Sequence, residues 1–248
     1  MRALPAFAMG ISLLTSCVGD KSMSESAYNQ DFVVSKDVEL IKAISVGDLK
    51  AIRTLAGEGG NLNAVGKHEN TPLRVAVKLK QKQVVRLLFQ LGVNPNTITP
   101  GGVVAAADDA VTENDPDFLR LFLEFGLDPN LKCQGMPLIF FALSRQNWIQ
   151  YEMLLSSGAD INSKLPDGSS LLLDLVMHME YDRAKELLLK GAEFRVRSSH
   201  GFNVLDQLVD DQRRLCIDPD LPDCRKRAEL LRLLRERGAA VPPGLPCM

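Results

Sequence analysis

The chain has 248 residues, of which 46% are hydrophobic, 24% charged and 6% aromatic, with 29 basic against 31 acidic side chains. That is enough apolar material for a soluble fold of one or two domains, and a formal charge of −2 supplies no basic excess to neutralise phosphates, which argues against nucleic acid as a partner. Three histidines and one tryptophan leave few parts for a metal site or a histidine-based active site.

The chain opens Met1-Arg2, continues with an apolar run from Ala3 to Leu14 and reaches Leu14-Thr15-Ser16-Cys17. One early positive charge, a short apolar stretch and small residues before a break form the pattern of a secretory signal. The run is too short to span a bilayer core of about 30 Å. The Leu-Thr-Ser-Cys ending resembles the bacterial lipobox. The resemblance implies removal of residues 1–16 and lipid attachment at Cys17, with the acyl chains as the only membrane contact. Val18 follows the cysteine where aspartate would signal retention, so the resemblance further implies the periplasmic side of the outer membrane. Residues 17–36 are polar and lack helical periodicity, which predicts a flexible tether.

Beyond the tether the chain repeats itself. Blocks of Gly-x-Asx-x-Asn recur at Gly59-Gly60-Asn61-Leu62-Asn63, Gly92-Val93-Asn94-Pro95-Asn96, Gly126-Leu127-Asp128-Pro129-Asn130 and Gly158-Ala159-Asp160-Ile161-Asn162, with weaker copies at Gly191 and Gly238. The leading glycines are 33, 34, 32, 33 and 47 residues apart. Each follows a leucine-rich stretch with helical spacing, and glycine ends a helix because it enters the left-handed region without steric cost. Helix starts follow each block: Asn70-Thr71-Pro72-Leu73, Gly135-Met136-Pro137-Leu138 and Asp167-Gly168-Ser169-Ser170. A hydroxyl cap followed by proline in the first turn suits a helix, since proline's missing N–H is not needed there.

These blocks and the run Asn70-Thr71-Pro72-Leu73-Arg74-Val75-Ala76 resemble the ankyrin-repeat family, whose signature is Thr-Pro-Leu-His-x-Ala; Arg74 stands where the family has histidine. The resemblance covers residues 37–242 and implies an all-α solenoid of about six helix–turn–helix units with loop fingers. The repeat boundaries are 37–66, 67–99, 100–133, 134–166, 167–198 and 199–242, with a tail over 243–248. A single unit cannot bury its apolar face, so neighbours must stack. Phe122, Phe140, Phe141 and Trp148 are expected to fill that stack.

The sixth repeat carries the 47-residue spacing, and its extra residues fall around Arg213–Arg227, a segment with two prolines that is expected to loop out. Setting Cys17 aside leaves Cys133, Cys216, Cys224 and Cys247, for which three pairings are open. The secreted address favours disulfides, and the bracketed loop makes Cys216–Cys224 the preferred pair. Its Cys-x7-Cys spacing matches no common zinc site, and the acidic loop centre lacks the glycine and glutamate of a calcium-binding EF-hand loop.

No catalytic set rises above chance: the histidines are isolated, and no nucleophile elbow or phosphate-cradling glycine loop occurs. The expectation is a protein that is not an enzyme and uses neither cofactor nor metal. The family resemblance instead implies a concave face built from loop tips and first helices. Placing each repeat by its glycine and helix start puts Lys67, His68, Asn70 and Lys78 there, followed by Asp108 and Asp109, then Lys132, Gln134, Ser144 and Arg145. Lys164, Asp167, Ser169, Met177 and His178 follow, and then Arg197, Ser199, His200, Phe202, Asp210 and Asp211. Phe202 and Met177 are the favoured anchors, because exposed aromatic and methionine side chains often dominate binding energy.

The resulting expectation is a monomeric, lipid-anchored envelope protein that binds another protein. Its most specific form is an immunity protein against a secreted toxin, such as a phospholipase effector of type VI secretion. The alternative is an accessory protein for a resident periplasmic enzyme such as a catalase. Both rest on analogy of fold and address.

Overall fold

A computed structural model describes residues 25–245 apart from 105, 217 and 219. The segment expected to be a signal sequence, Cys17 and Cys247 lie outside the described residues. Among those described there are 13 helices and one two-stranded ladder. In chain order they are α1 (Glu25–Asp31), α2 (Ser35–Ser45), α3 (Leu49–Gly57), α4 (Pro72–Lys78), α5 (Lys82–Gln90), α6 (Ala107–Thr112) and α7 (Pro116–Glu124). The strands β1 (Lys132–Cys133) and β2 (Met136–Pro137) come next. They are followed by α8 (Leu138–Ser144), α9 (Trp148–Ser156), α10 (Leu171–Met177), α11 (Tyr181–Leu189), α12 (Val204–Leu215) and α13 (Pro222–Glu236). No helix of the described residues is long and apolar enough to cross a membrane. The chain divides into two compact bodies between Gly158 and Ala159.

Six helix pairs, α2/α3 to α12/α13, realise the all-α helix–turn–helix pattern. In the N-terminal body the first helices α2, α4, α6 and α8 pack in succession, and the second helices α3, α5, α7 and α9 do the same, giving two layers. In the C-terminal body α10 packs on α12 and α11 on α13. Local chemistry sets the ends of these helices. The Thr71 hydroxyl accepts from Arg74 N (3.1 Å) with Pro72 in the first turn. Asp48, Asp115, Ser170 and Asn203 cap α3, α7, α10 and α12 in the same manner. At the other end, Gly92 turns left-handed (φ 92°), so that its N–H reaches Phe89 O and the next N–H reaches Leu88 O.

The Asx-x-Asn blocks divide their labour. The first side chain closes its own turn, as when Asn94 Oδ1 accepts from Asn96 N (2.9 Å) and Asp128 Oδ1 from Asn130 N (2.8 Å). The second asparagine reaches into the next repeat: Asn96 Nδ2 donates to Gly126 O (2.8 Å) while its Oδ1 accepts from Asp128 N (2.7 Å). Asn130 repeats the first of these bonds with Gly158 O (3.1 Å). The motif thus ends a helix and ties adjacent loops together.

Two expectations change. Part of the segment expected to be a tether over 17–36 is folded. Residues Glu25–Asp31 form α1, which packs on α2 and buries Tyr28, with Phe32 buried just beyond its end. The extra length of the sixth repeat is also not a long loop. It extends α12 to 12 residues and α13 to 15, with Pro222 at the first turn of α13, where proline is compatible with a helix. Cys216 and Cys224 are joined by a disulfide with Cα atoms 5.2 Å apart, clasping the turn that remains. Phe122, Phe140 and Phe141 are buried as expected, whereas Trp148 is only partly covered.

Candidate protein-binding surface

Asp108 and Asp109 are not on the surface. They lie on α6 at 0% and 1% exposure, facing the equally buried Arg74 of α4. Arg74 Nη2 donates to Val104 O (2.8 Å) and Asp108 Oδ1 (2.7 Å), and its Nε lies 2.8 Å from Asp109 Oδ2. Lys78 Nζ closes the cluster 2.5 Å from Asp109 Oδ1. Counting back from the capping residues of the second helices, Gln81 and Asp115, Arg74 and Asp108 occupy the same place in adjacent repeats. Arginine at the family's histidine position is therefore answered by an acid one repeat on. Burial pushes the Asp108 carboxyl well above the usual carboxylate range, the neighbouring Asp109 adds to this, and Arg74 opposes it. Burial alone would lower the Arg74 pKa, but the two carboxylates reverse that, and the guanidinium is held above its ordinary value. Asp108 Oδ2 has no hydrogen-bond partner among the described residues.

Asn70 and Ser169 are buried as well, and both serve the fingers internally. Asp31, at the end of α1, accepts from His68 N (3.0 Å) and Asn70 Nδ2 (3.0 Å), and its Oδ1 lies 2.6 Å from His68 Nδ1. A Cβ on Gly66 would collide with this carboxylate, so only glycine fits there. Ser169 donates to Asp167 Oδ2 (3.0 Å) and takes a backbone bond to Oδ1 (2.9 Å). Lys67, Lys132, Gln134 and Arg145 are exposed, Ser144 is partly so, and Lys78 is held by Asp109. The fingers touch in sequence: Gly101 N donates to Glu69 Oε2 (3.3 Å), and Gln134 N to Gly102 O (3.3 Å).

In the C-terminal body Lys164, Arg197, Ser199, His200 and Phe202 are exposed, with Phe202 at 50%. Arg197 is committed to Asp206 (2.6 Å) and Gly201 O (2.6 Å), and Asp210 is committed to Arg214 (2.8 Å). Asp211 accepts from Gln207 (3.0 Å). Met177 and His178 are half-buried. His178 Nδ1 lies 3.8 Å from Asp174, and His200 Nδ1 lies 3.8 Å from Asp167. Among the described residues no group of three His, Cys, Asp or Glu side chains is placed to hold a metal ion.

Residues 68–100 match the family model described as ankyrin repeat. The solved structure titled "Crystal structure of the ankyrin repeat domain of Bcl-3: a unique member of the IkappaB protein family" is similar to the chain with a TM-score of 0.63 at 26% identity, covering 81% of this chain and 86% of that one. The fold is that of an ankyrin-repeat domain. No curated protein sequence matches the chain. Ankyrin repeats form a protein-interaction module, in general a binding scaffold without catalysis.

Two residues important to these ankyrin repeats escaped the sequence reading. Asp31 lies in the segment expected to be a tether, and the only signal there is the four-residue spacing of Tyr28 and Phe32. Asp174 is pushed up to about 6, above all by burial, with Asp167 adding to the rise and His178 opposing it. It sits one helical turn before His178, and that spacing was the available clue.

Proposed function

We propose that this chain is an ankyrin-repeat lipoprotein, anchored through Cys17 on the periplasmic side of the outer membrane, that neutralises a secreted toxin as an immunity protein. The observation that carries the protein-binding part is the set of finger side chains that project to solvent in each body, Lys67 and Lys132 in the N-terminal one and Lys164 and Phe202 in the C-terminal one. The address rests on Leu14-Thr15-Ser16-Cys17, and the toxin on the pairing of such an address with a repeat fold. An anchor would hold the domain beside a membrane that a phospholipase attacks.

The test is a pull-down of the mature chain from the producing strain under secretion-inducing conditions, with mass spectrometry of what is retained. Recovery of a lipase or another toxin, and loss of that toxin's activity when the two are mixed, is the expected result. A resident envelope enzyme retained instead, with its activity reduced on deletion of this gene, would replace the immunity reading by the accessory one. Radiolabelled palmitate incorporation that disappears in Cys17→Ser checks the anchor; unchanged labelling would refute it.

A further inference from the structure

The three fingers of the N-terminal body close alike. Gly66 N donates to Asn70 O, Thr99 N donates to Val103 O, and Cys133 pairs with Met136. Val65, Ile98 and Lys132, one residue earlier in each finger, therefore occupy equivalent places, and all three are exposed. Lys67 projects from the tip of the first finger. Among the described residues neither Lys67 nor Lys132 has a carboxylate at ion-pair distance. The cations on α5 differ: Lys82 is held by Asp115 (2.6 Å) and Asp117 (2.7 Å), and Arg86 by Glu124 (2.7 Å). The acids that the sequence places beside the fingers, Asp108 and Asp109, are withdrawn into the cluster around Arg74. What is left is Lys67 and Lys132 facing solvent with the apolar Ile98 between them in sequence, while the partly exposed Glu69 is turned to Gly101 N of the second finger, on a chain whose formal charge is −2.

The spacing defines what fits. The first and third fingers are two repeats apart, about 20 Å at ordinary helix-packing distances. An extended polyproline II segment, rising about 3.1 Å per residue with three residues per turn, covers that length in about six residues and keeps every third side chain on one face. We infer that this row binds an extended acidic segment of a protein partner, in which two carboxylate side chains about six residues apart meet Lys67 and Lys132 and an apolar side chain between them meets Ile98. The inference rests on the protein-binding reading above and names the chemistry of the partner. Charge pairs at such a rim govern encounter rate and partner choice, and they weaken as salt rises.

The experiment measures fluorescence anisotropy of the full chain with an end-blocked peptide of glycine and serine that carries two glutamates six residues apart and a leucine midway. Control peptides replace both glutamates by glutamine or by lysine. The acidic peptide should bind, and it should bind more weakly at high salt. Lys67→Glu/Lys132→Glu should weaken binding about tenfold and Ile98→Ser about fivefold, while Lys50→Glu/Arg53→Glu on α3, an equal charge change, should leave it unaltered. All of these side chains are exposed, and thermal melts confirm that each variant folds. Equal binding of the glutamine peptide, equal loss in the α3 variant, or tighter binding of a short single-stranded oligonucleotide would overturn the inference. The pull-down judges the parent reading separately. A protein retained equally by wild type and by Lys67→Glu/Lys132→Glu upholds protein binding and overturns the acidic segment.

Discussion

Arg74 is held between two carboxylates with almost no water around it, so its worth lies in what its removal would strand. Arg74→Met leaves Asp108 and Asp109 buried without their main counter-charge, and breaking such a pair from one side costs about 3–5 kcal/mol. Urea unfolding should show that loss. The combined variant Arg74→Met/Asp108→Leu/Asp109→Leu should recover most of it, because Lys78 is partly exposed and can turn to solvent. A triple variant as unstable as the single one would show that packing, and not charge, fixes this position. Asp174 gives the opposite sign. Its folded pKa, about 6, lies above the 3.8 of the free side chain, so the folded state binds the proton more tightly than the unfolded one. Stability is therefore untouched below pH 4 and falls as pH rises from there through 6. Asp174→Asn removes that penalty and should gain about 3 kcal/mol at pH 8 and less than about 1 kcal/mol near pH 4. Urea midpoints at the two pH values check it; an equal gain at both would contradict the argument.

At the scale of elements, what the sequence could show followed from spacing. The Gly-Asx-Asn blocks announce helix ends because glycine and the short polar side chains act within a few residues of themselves. The second asparagine was less legible, since its partners, Gly126 O for Asn96 and Gly158 O for Asn130, lie in the next repeat. The short α1 was hidden for a related reason. Its seven residues are mostly polar, and its stability comes from packing on α2 and from Asp31 reaching a finger more than thirty residues away. Burial of Asp108 was equally unreadable, because two adjacent acids look solvated until Arg74 is known to face them. The sixth repeat shows how an insertion is absorbed: both helices lengthen and a disulfide clasps the turn. Closing so small a loop contributes about 2.5 kcal/mol on the chain-entropy account. Reduction, or Cys216→Ser/Cys224→Ser, should lower stability by about that amount. Denaturation with and without reductant measures it, and a serine variant that still responds to reductant would locate the effect at another cysteine.

Within each body the stacked helix pairs depend on their neighbours in sequence, and a chain of that kind loses stability locally before it loses it globally. Asp31 is the place to test this. Its side chain takes two hydrogen bonds from the first finger and sits against the His68 ring, and it ties α1 to the start of the second repeat. Asp31→Ala leaves the buried Asn70 amide and the His68 N–H without that acceptor, at about 1–3 kcal/mol for each donor stranded away from water. The damage should remain where those bonds were. Amide hydrogen exchange should speed up in α1, in α2 and over residues 66–70, while α10 to α13, beyond the division at Gly158, keep their protection. A uniform rise across 25–245 would mean that the repeats unfold as one cooperative unit and that the nearest-neighbour description fails. Confined loss would also bear on function. With the first finger loosened and the third intact, Lys67 would no longer be held at a fixed distance from Lys132, and the acidic peptide should bind more weakly to Asp31→Ala although neither lysine has been altered.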